Sequence, residues 1–249
     1  MLNFITAPIT SLLVWLYQLT GQNLGLAIIA LTLIIRAVLL PITIPSIKAV
    51  KKMQDLKPAL DRLKKKHTDK TKLMQAQAAL YKQNGVNPSA GCLPQIAQII
   101  VLIALYQVFI NFIQSGQFDG VRPNMNFLWL NLSQPDPFYV LPVLAGVSQL
   151  VFSLMMQSAV KKDVKDPKNK EAKKKEENTL EMAQQISQQM VFMMPLMTVV
   201  IALKFPSGLA LYWVITTVFS AVQQYIFSGP GGLIYYGNQL KARLQGLNG

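Results

Sequence analysis

No aspartate or glutamate falls inside any long apolar run of this 249-residue chain. That absence excludes the paired carboxylates of an intramembrane aspartyl protease and leaves no acidic partner for proton or sodium coupling in a transporter. There is one cysteine, Cys92, and one histidine, His67, so neither a disulfide framework nor a Cys/His metal site can form within one chain. His67 lies in a lysine-rich stretch rather than an apolar run, which removes the Ser/His pair of a membrane-embedded serine protease. No glycine-rich phosphate loop is present. No internal repeat is visible either, against an inverted-repeat transporter. The chain is therefore expected not to be an enzyme and to need no cofactor and no metal.

What is present is apolar length. Apolar residues make up 51% of the chain and charged ones 14%. Residues 24–45, 93–113, 137–157, 190–205 and 207–227 read as five transmembrane helices, since at about 1.5 Å per residue such runs approach a bilayer core of roughly 30 Å. The fourth is short for that thickness, and Pro195 and the turn Pro206-Ser207-Gly208 near it imply local thinning or a tucked-in hairpin. Lysine and arginine orient the whole. Eleven lie in 46–92, eight in 158–189 and two, Lys241 and Arg243, in the tail 228–249; only Arg122 in the loop 114–136 and Lys204 fall on the other side. That asymmetry predicts an N-terminus outside and a C-terminus in the cytoplasm. The net charge of +13 is then almost wholly cytoplasmic, a surface suited to anionic lipid, nucleic acid or acidic protein.

Residues 1–22 start without the basic region of a signal peptide. Leu2, Ile5, Ile9, Leu12, Leu16 and Leu19 recur at helical spacing, with Trp15 and Tyr17 near the end. The pattern predicts an amphipathic helix in the outer interface, with a sixth crossing as the alternative.

Arg36 stands in the middle of the first run. A cation at that depth costs roughly 2.5–3.5 kcal/mol on insertion scales and usually faces a bundle interior or a wet cavity. Mid-span placement makes snorkelling hard, and no carboxylate is at hand, so a polar cavity is the expected environment. Polar side chains fall on stripes in the other spans: Gln149, Ser153 and Gln157 on the third, Trp213, Thr217, Ser220 and Gln224 on the fifth, and Gln95, Gln98, Gln107 and Asn111 on the second. Singly, such residues serve as interhelical hydrogen-bond partners. With Thr32 one turn before Arg36, they are expected to line one hydrated groove.

Residues 46–92 read as a basic cytoplasmic helical hairpin. Its first helix is expected over about 47–66, with Val50, Met53, Leu56, Leu60 and Leu63 on one face. The second is expected over about 70–83, ending at Asn84-Gly85. Lys64, Lys65 and Lys66 are its candidate partner-docking residues. Residues 158–189 read as a charged cytoplasmic loop. Met182, Met190, Met193, Met194 and Met197 cluster around the fourth span, a composition that suits varied apolar partners as well as gap-filling.

Three stretches carry a family resemblance: YKQNGVNPSAGCLPQIAQIIVLIALYQVF at 81–109, LTLIIRAVLLPIT at 31–43 and FPSGLALYWVITTVFSAVQQ at 205–224. In order and spacing they resemble the YidC family of membrane protein insertases, with its mitochondrial and plastid Oxa/Alb relatives. The resemblance implies an all-α integral membrane protein whose five transmembrane helices enclose a hydrophilic groove. That groove would be open to the cytosol and to lipid and closed to the outside, with a cytoplasmic hairpin after the first helix. It also implies Arg36 as the groove cation, with Thr32, Trp213 and Gln149 beside it. The large Gram-negative members carry an extracytoplasmic domain ahead of the first core span. This chain shows none and has a short tail, which implies a compact form in the plasma (inner) membrane of a bacterium.

The function so implied is an insertase and chaperone for nascent membrane proteins in the lipid bilayer, with the Sec translocon, the ribosome and the signal recognition particle machinery as partners. An assembly chaperone without autonomous insertase activity and an ion or solute transporter are the rival readings.

Overall fold

The computed structural model describes residues 3–67, 69–87, 90, 93–117, 120–157, 191–234 and 236–238. The expected charged loop 158–189 and most of the tail lie outside the described residues, as do the side chains of Lys64 and Lys65. The chain is mostly helical. In order it forms α1 (Asn3–Leu19), α2 (Leu24–Val38), α3 (Leu40–Asp55), α4 (Lys57–Lys66), α5 (Lys70–Gln83) and α6 (Leu93–Ser115). A small antiparallel ladder follows, β1 (Asn126–Phe127) with β2 (Leu130–Asn131), then α7 (Val140–Met155), α8 (Val191–Ala202) and α9 (Ser207–Ser228). The sequence reading had no strands in 114–136; each strand is two residues long, too short to leave a period-two signal.

Local chemistry sets the helix ends. Asn23 caps α2, its side-chain oxygen accepting from the Leu26 N–H at 3.0 Å. Pro41 supplies no N–H to continue α2 and its ring crowds the preceding turn, and α2 and α3 meet at Leu39 with a bend of 66°. Pro45, at the end of the first apolar run, sits inside α3, which continues into the lysine-rich segment as far as Asp55. The expected helix over 47–66 is likewise two pieces, broken at Leu56 where Pro58 takes the first turn of α4. Asp69 caps α5 by accepting from the Thr71 N–H at 2.8 Å.

By length and composition α6 and α9 can cross a membrane, with mean hydropathies of 2.2 and 1.3, and the bent pair α2–α3 is a third candidate. α7 and α8 are apolar but shorter. α9 is the central post, packed against α7, α2 and α3, while α1 lies against α2 and α6. Leu31, Leu105, Phe109, Leu209 and Tyr212 fill the shared core.

The two ends of the bundle are tied differently. At one end the segment around β1 and β2 packs onto α2 so closely that a Cβ on Gly25 would lie 2.2 Å from the Phe127 ring. The Ser207 N–H and hydroxyl both donate to the Gln134 carbonyl, at 2.7 and 2.6 Å. At the other end the chain after α9 folds over the end of α7. The Gly232 N–H donates to the Gln157 carbonyl at 2.9 Å, the Tyr236 hydroxyl to the Gln157 side chain at 2.7 Å, and the Gln54 amide of α3 to the Met156 carbonyl.

Gly231 is the crux of that second clasp. It has φ of +51°, and a Cβ there would stand 2.0 Å from the Met155 carbonyl oxygen. Gly231→Ala should cost at least the roughly 1–3 kcal/mol of a strained backbone and lower the melting temperature in detergent by several degrees. Gly237→Ala, where a Cβ meets nothing within 4 Å, should melt like the parent.

Candidate functional site

Arg36 lies on the last turn of α2 and is 7% exposed. Its Nε donates to Thr216 Oγ1 of α9 at 2.6 Å, and its Nη2 donates to Gln98 Oε1 of α6 at 2.9 Å. Gln98 in turn donates from Nε2 to the Tyr212 hydroxyl at 2.7 Å, and Thr216 Oγ1 donates to Gln98 Oε1 at 3.4 Å. The amide orientation is thereby fixed, since a flipped Gln98 would point N–H groups at the guanidinium. Three helices meet on one cation, and every partner is neutral.

Hydrogen bonds to a charged group are worth about 1.5–3 kcal/mol each. Two of them are of the same size as the roughly 2.5–3.5 kcal/mol insertion cost of the arginine, so the site can hold the charge without a carboxylate. A guanidinium has five N–H donors; two are used here, leaving three with no protein partner among the described residues. The positive charge is tethered but not neutralised.

The other sequence-predicted residues are placed as follows. Thr32 is fully buried one turn before Arg36 and donates to its own helix at the Ile28 carbonyl, 2.7 Å. Thr217 is buried and donates to the Trp213 carbonyl at 2.8 Å. Trp213 is half-buried, its ring 5.9 Å from that of Phe205. Gln149 and Ser153 are half-buried on α7. None of these five bonds to Arg36 among the described residues. Gln224 is fully buried, and neither polar atom of its amide has a hydrogen-bond partner among the described residues.

The residues that do meet Arg36 were missed as site residues. Tyr212 and Thr216, one turn apart, look towards α2 and α6, and Gln223 continues the face by donating to Thr43 Oγ1 of α3 at 3.2 Å. The polar stripe chosen from sequence, through 213, 217, 220 and 224, is this face shifted by one residue, or about 100° around α9. Gln98 was visible as one of four polar positions on the second span, but nothing in its spacing singled it out.

A shallow depression too small to hold a water molecule lies elsewhere, lined by Leu13, Val14, Tyr17, Leu24, Val121 and Pro123. It offers no charged group to a polar ligand.

Comparison with known proteins places this architecture. The chain is 33% identical over 235 residues to the membrane protein insertase MisCA of Bacillus subtilis, covering 92% of this chain and 79% of that protein. It is 34% identical over 233 residues to the membrane protein insertase YidC 2 of Bacillus anthracis, covering 92% and 81%. A YidC of Fusobacterium nucleatum is 33% identical over 210 residues, covering 84% and 88%. Among solved structures, the crystal structure of an active YidC insertase with its first transmembrane domain resolved superposes with a TM-score of 0.62 at 24% identity, over 90% of this chain and 46% of that one; this likeness is one of fold. The family described as 60Kd inner membrane protein matches residues 15–230, and the chain belongs to that family of integral membrane proteins.

Proposed function

We propose that this chain is a membrane protein insertase and chaperone, which moves the short polar flank of a nascent transmembrane segment part of the way across the bilayer and releases the segment into lipid. The observation that carries this reading is Arg36, a buried cation held only by neutral acceptors with donors to spare. An unpaired polar or charged flank costs several kcal/mol in hydrocarbon. A guanidinium without a counter-ion attracts an acidic group in such a flank, most strongly where the local dielectric is low. The names of the relatives, insertases along most of their length, support the same conclusion.

In the working arrangement the bent pair α2–α3, α6, α7, α8 and α9 are five spans, with the N-terminus outside, the C-terminus in the cytoplasm and α1 at the outer interface. Thr32, Gln149, Ser153, Trp213, Thr217 and Gln224 line a cytosol-facing groove with Arg36. Thr32, Thr217 and Gln224 are buried at rest, so the groove is an opening of the α9 faces that water and substrate enter together. The unpartnered Gln224 amide favours this, since burying it without a hydrogen bond costs about 1–3 kcal/mol that entering water recovers. The apolar segment leaves past α8, whose Phe192, Met193, Met194 and Met197 are exposed. The basic hairpin α4–α5 docks anionic headgroups, the ribosome or the signal recognition particle, and a Sec translocon can share the substrate.

Reconstitution of the purified chain alone in liposomes with a small single-span substrate tests the reading. Arg36→Ala should reduce insertion of a substrate with an acidic outer flank by roughly tenfold or more, as loss of one charge-assisted contact of about 1.5–3 kcal/mol implies, and Arg36→Lys should retain most of it. Gln98→Leu should weaken insertion less than Arg36→Ala, because Thr216 still holds Nε. Equal loss for lysine and alanine would assign the role to the planar fork of arginine instead. Full activity of Arg36→Ala, or solute flux from the vesicles, would overturn the reading.

Groove hydration has its own readout. Cysteines at Thr32, Gln149 and Thr217 in a Cys92→Ser background should react with impermeant thiol reagents from the cytosolic side only. Labelling from the outside would mean a pore, and no labelling a dry bundle.

Charge reversal at Lys64, Lys65 and Lys66 should weaken binding to anionic vesicles or ribosomes, with a deficit that shrinks as salt rises, and leave the melting temperature of the bundle unchanged. Normal binding across the salt series would make the hairpin a mechanical element.

A further inference from the structure

We propose that the segment between α6 and α7, together with the start of α7, forms an aromatic foot seated in the headgroup–acyl boundary of the adjoining leaflet. The inference rests on the chain being membrane-integral and not on the insertase reading. Four large side chains stand out from this short segment, Leu128 at 75% exposure, Trp129 at 44%, Phe138 at 68% and Tyr139 at 59%. Such a cluster is costly in water, at about 25 cal/mol per Å² of apolar area.

The cluster is built, not left over. Its hub is Asp136, 3% exposed, whose Oδ1 accepts from Trp129 Nε1 at 3.2 Å and from the Phe138 N–H at 3.1 Å, while Oδ2 accepts from the Leu141 N–H at 2.7 Å. The indole has only one donor, and it is used inside the protein, so the Trp129 ring can leave water without breaking a hydrogen bond. The carboxylate also sits over the N-terminus of α7, where the helix dipole favours an anion. Leu128 and Tyr139 both have left-handed backbones, at φ of 55° and 59°, which costs a side-chain-bearing residue roughly 1–2 kcal/mol each. The fold accepts that strain at the two positions that turn these side chains outward.

Lipid is the occupant that the surroundings select. Val140, Val143, Leu144 and Val147 are all exposed on α7, a row at i, i+3, i+4 and i+7 that forms one apolar face. In a membrane-integral bundle that row meets acyl chains, and the exposed Phe138 and Tyr139 immediately precede it in the chain. α7 has 16 residues, about 24 Å of helix against a core of roughly 30 Å. The foot supplies apolar surface where α7 runs out. Tryptophan and tyrosine are the side chains enriched at that depth.

The test uses the full chain in phosphatidylcholine vesicles, with Trp15→Phe and Trp213→Phe leaving Trp129 as the single fluorophore. Expected are a blue-shifted emission and quenching several-fold stronger by lipids brominated near the headgroup end of the acyl chain than by lipids brominated near the methyl end, with little quenching by aqueous iodide. Asp136→Ala should make Trp129 accessible to iodide. If the double variant does not fold, the difference between parent and Trp129→Phe emission gives the same reading. Quenching by iodide without bromolipid quenching would put the foot in water and overturn the proposal. Shielding that is lost as the protein is diluted in lipid would identify a second copy as the occupant and overturn it equally.

Discussion

The bundle holds a buried cation with no acidic partner among the described residues. Arg36 reaches Thr216 on α9 and Gln98 on α6 from its own place on α2, so one side chain cross-links three helices. Removing it from water is tolerable only because those acceptors are aligned, and they are aligned only while the three helices keep their spacing. Gln98 depends on Tyr212 in the same way, through the bond from its Nε2. A carboxylate in place of Gln98 would hold the arginine more firmly, yet it would also neutralise it. Neutral acceptors tie the helices together and leave the charge uncompensated.

Asp136 makes the contrast. It too is a buried charge, but both its oxygens are engaged, by one indole and two backbone donors at the start of α7. With its acceptor sites occupied and the helix dipole behind it, it has little left to offer a ligand and serves to shape the segment around it. Among the described residues Arg36 has two of its five donors engaged. The two buried side chains thus differ in how many hydrogen-bonding sites remain open.

Arg36 could be found from sequence because a cation inside an apolar run is a one-residue anomaly that needs no partner to be seen. The partners could not. α9 carries polar groups at 212, 213, 216, 217, 220, 223 and 224, which spread over a wide arc of the helix, and periodicity says which of them share a face without saying which face meets α2. The hydroxyls at Thr217 and Ser220 bond back to the Trp213 and Thr216 carbonyls, so two of the four positions in the stripe drawn from sequence satisfy themselves within α9. The bend between α2 and α3 is illegible in the sequence for a different reason. Hydropathy continues unbroken through Leu39, and it is Pro41, two residues on, that turns the chain by 66°. Pro45 looks the stronger breaker at the end of the run, but α3 accommodates it. Aromatic residues around Asp136 carry no periodic signal, because their grouping depends on two left-handed residues, Leu128 and Tyr139, that are not glycine.

The continuity of α3 has a mechanical consequence. Thr43 accepts from Gln223 of α9, the Ser46 hydroxyl donates to the Ala90 carbonyl at 2.6 Å, and Gln54 reaches the Met156 carbonyl at the end of α7. One helix thus runs from the bend beside Arg36 to the base of the basic hairpin and is bonded to its neighbours along the way. The interior of a hydrogen-bonded helix is stiff, and the chain is soft only at its breaks. Those breaks are Leu39 and Leu56. The break at Leu56 separates α4 and α5 from α3, whereas the break at Leu39 lies one turn before Thr43, which is tied through Gln223 to the face of α9 that also holds Arg36 through Thr216. The bonds from Ser46 and Gln54 brace α3 against its neighbours between the two breaks.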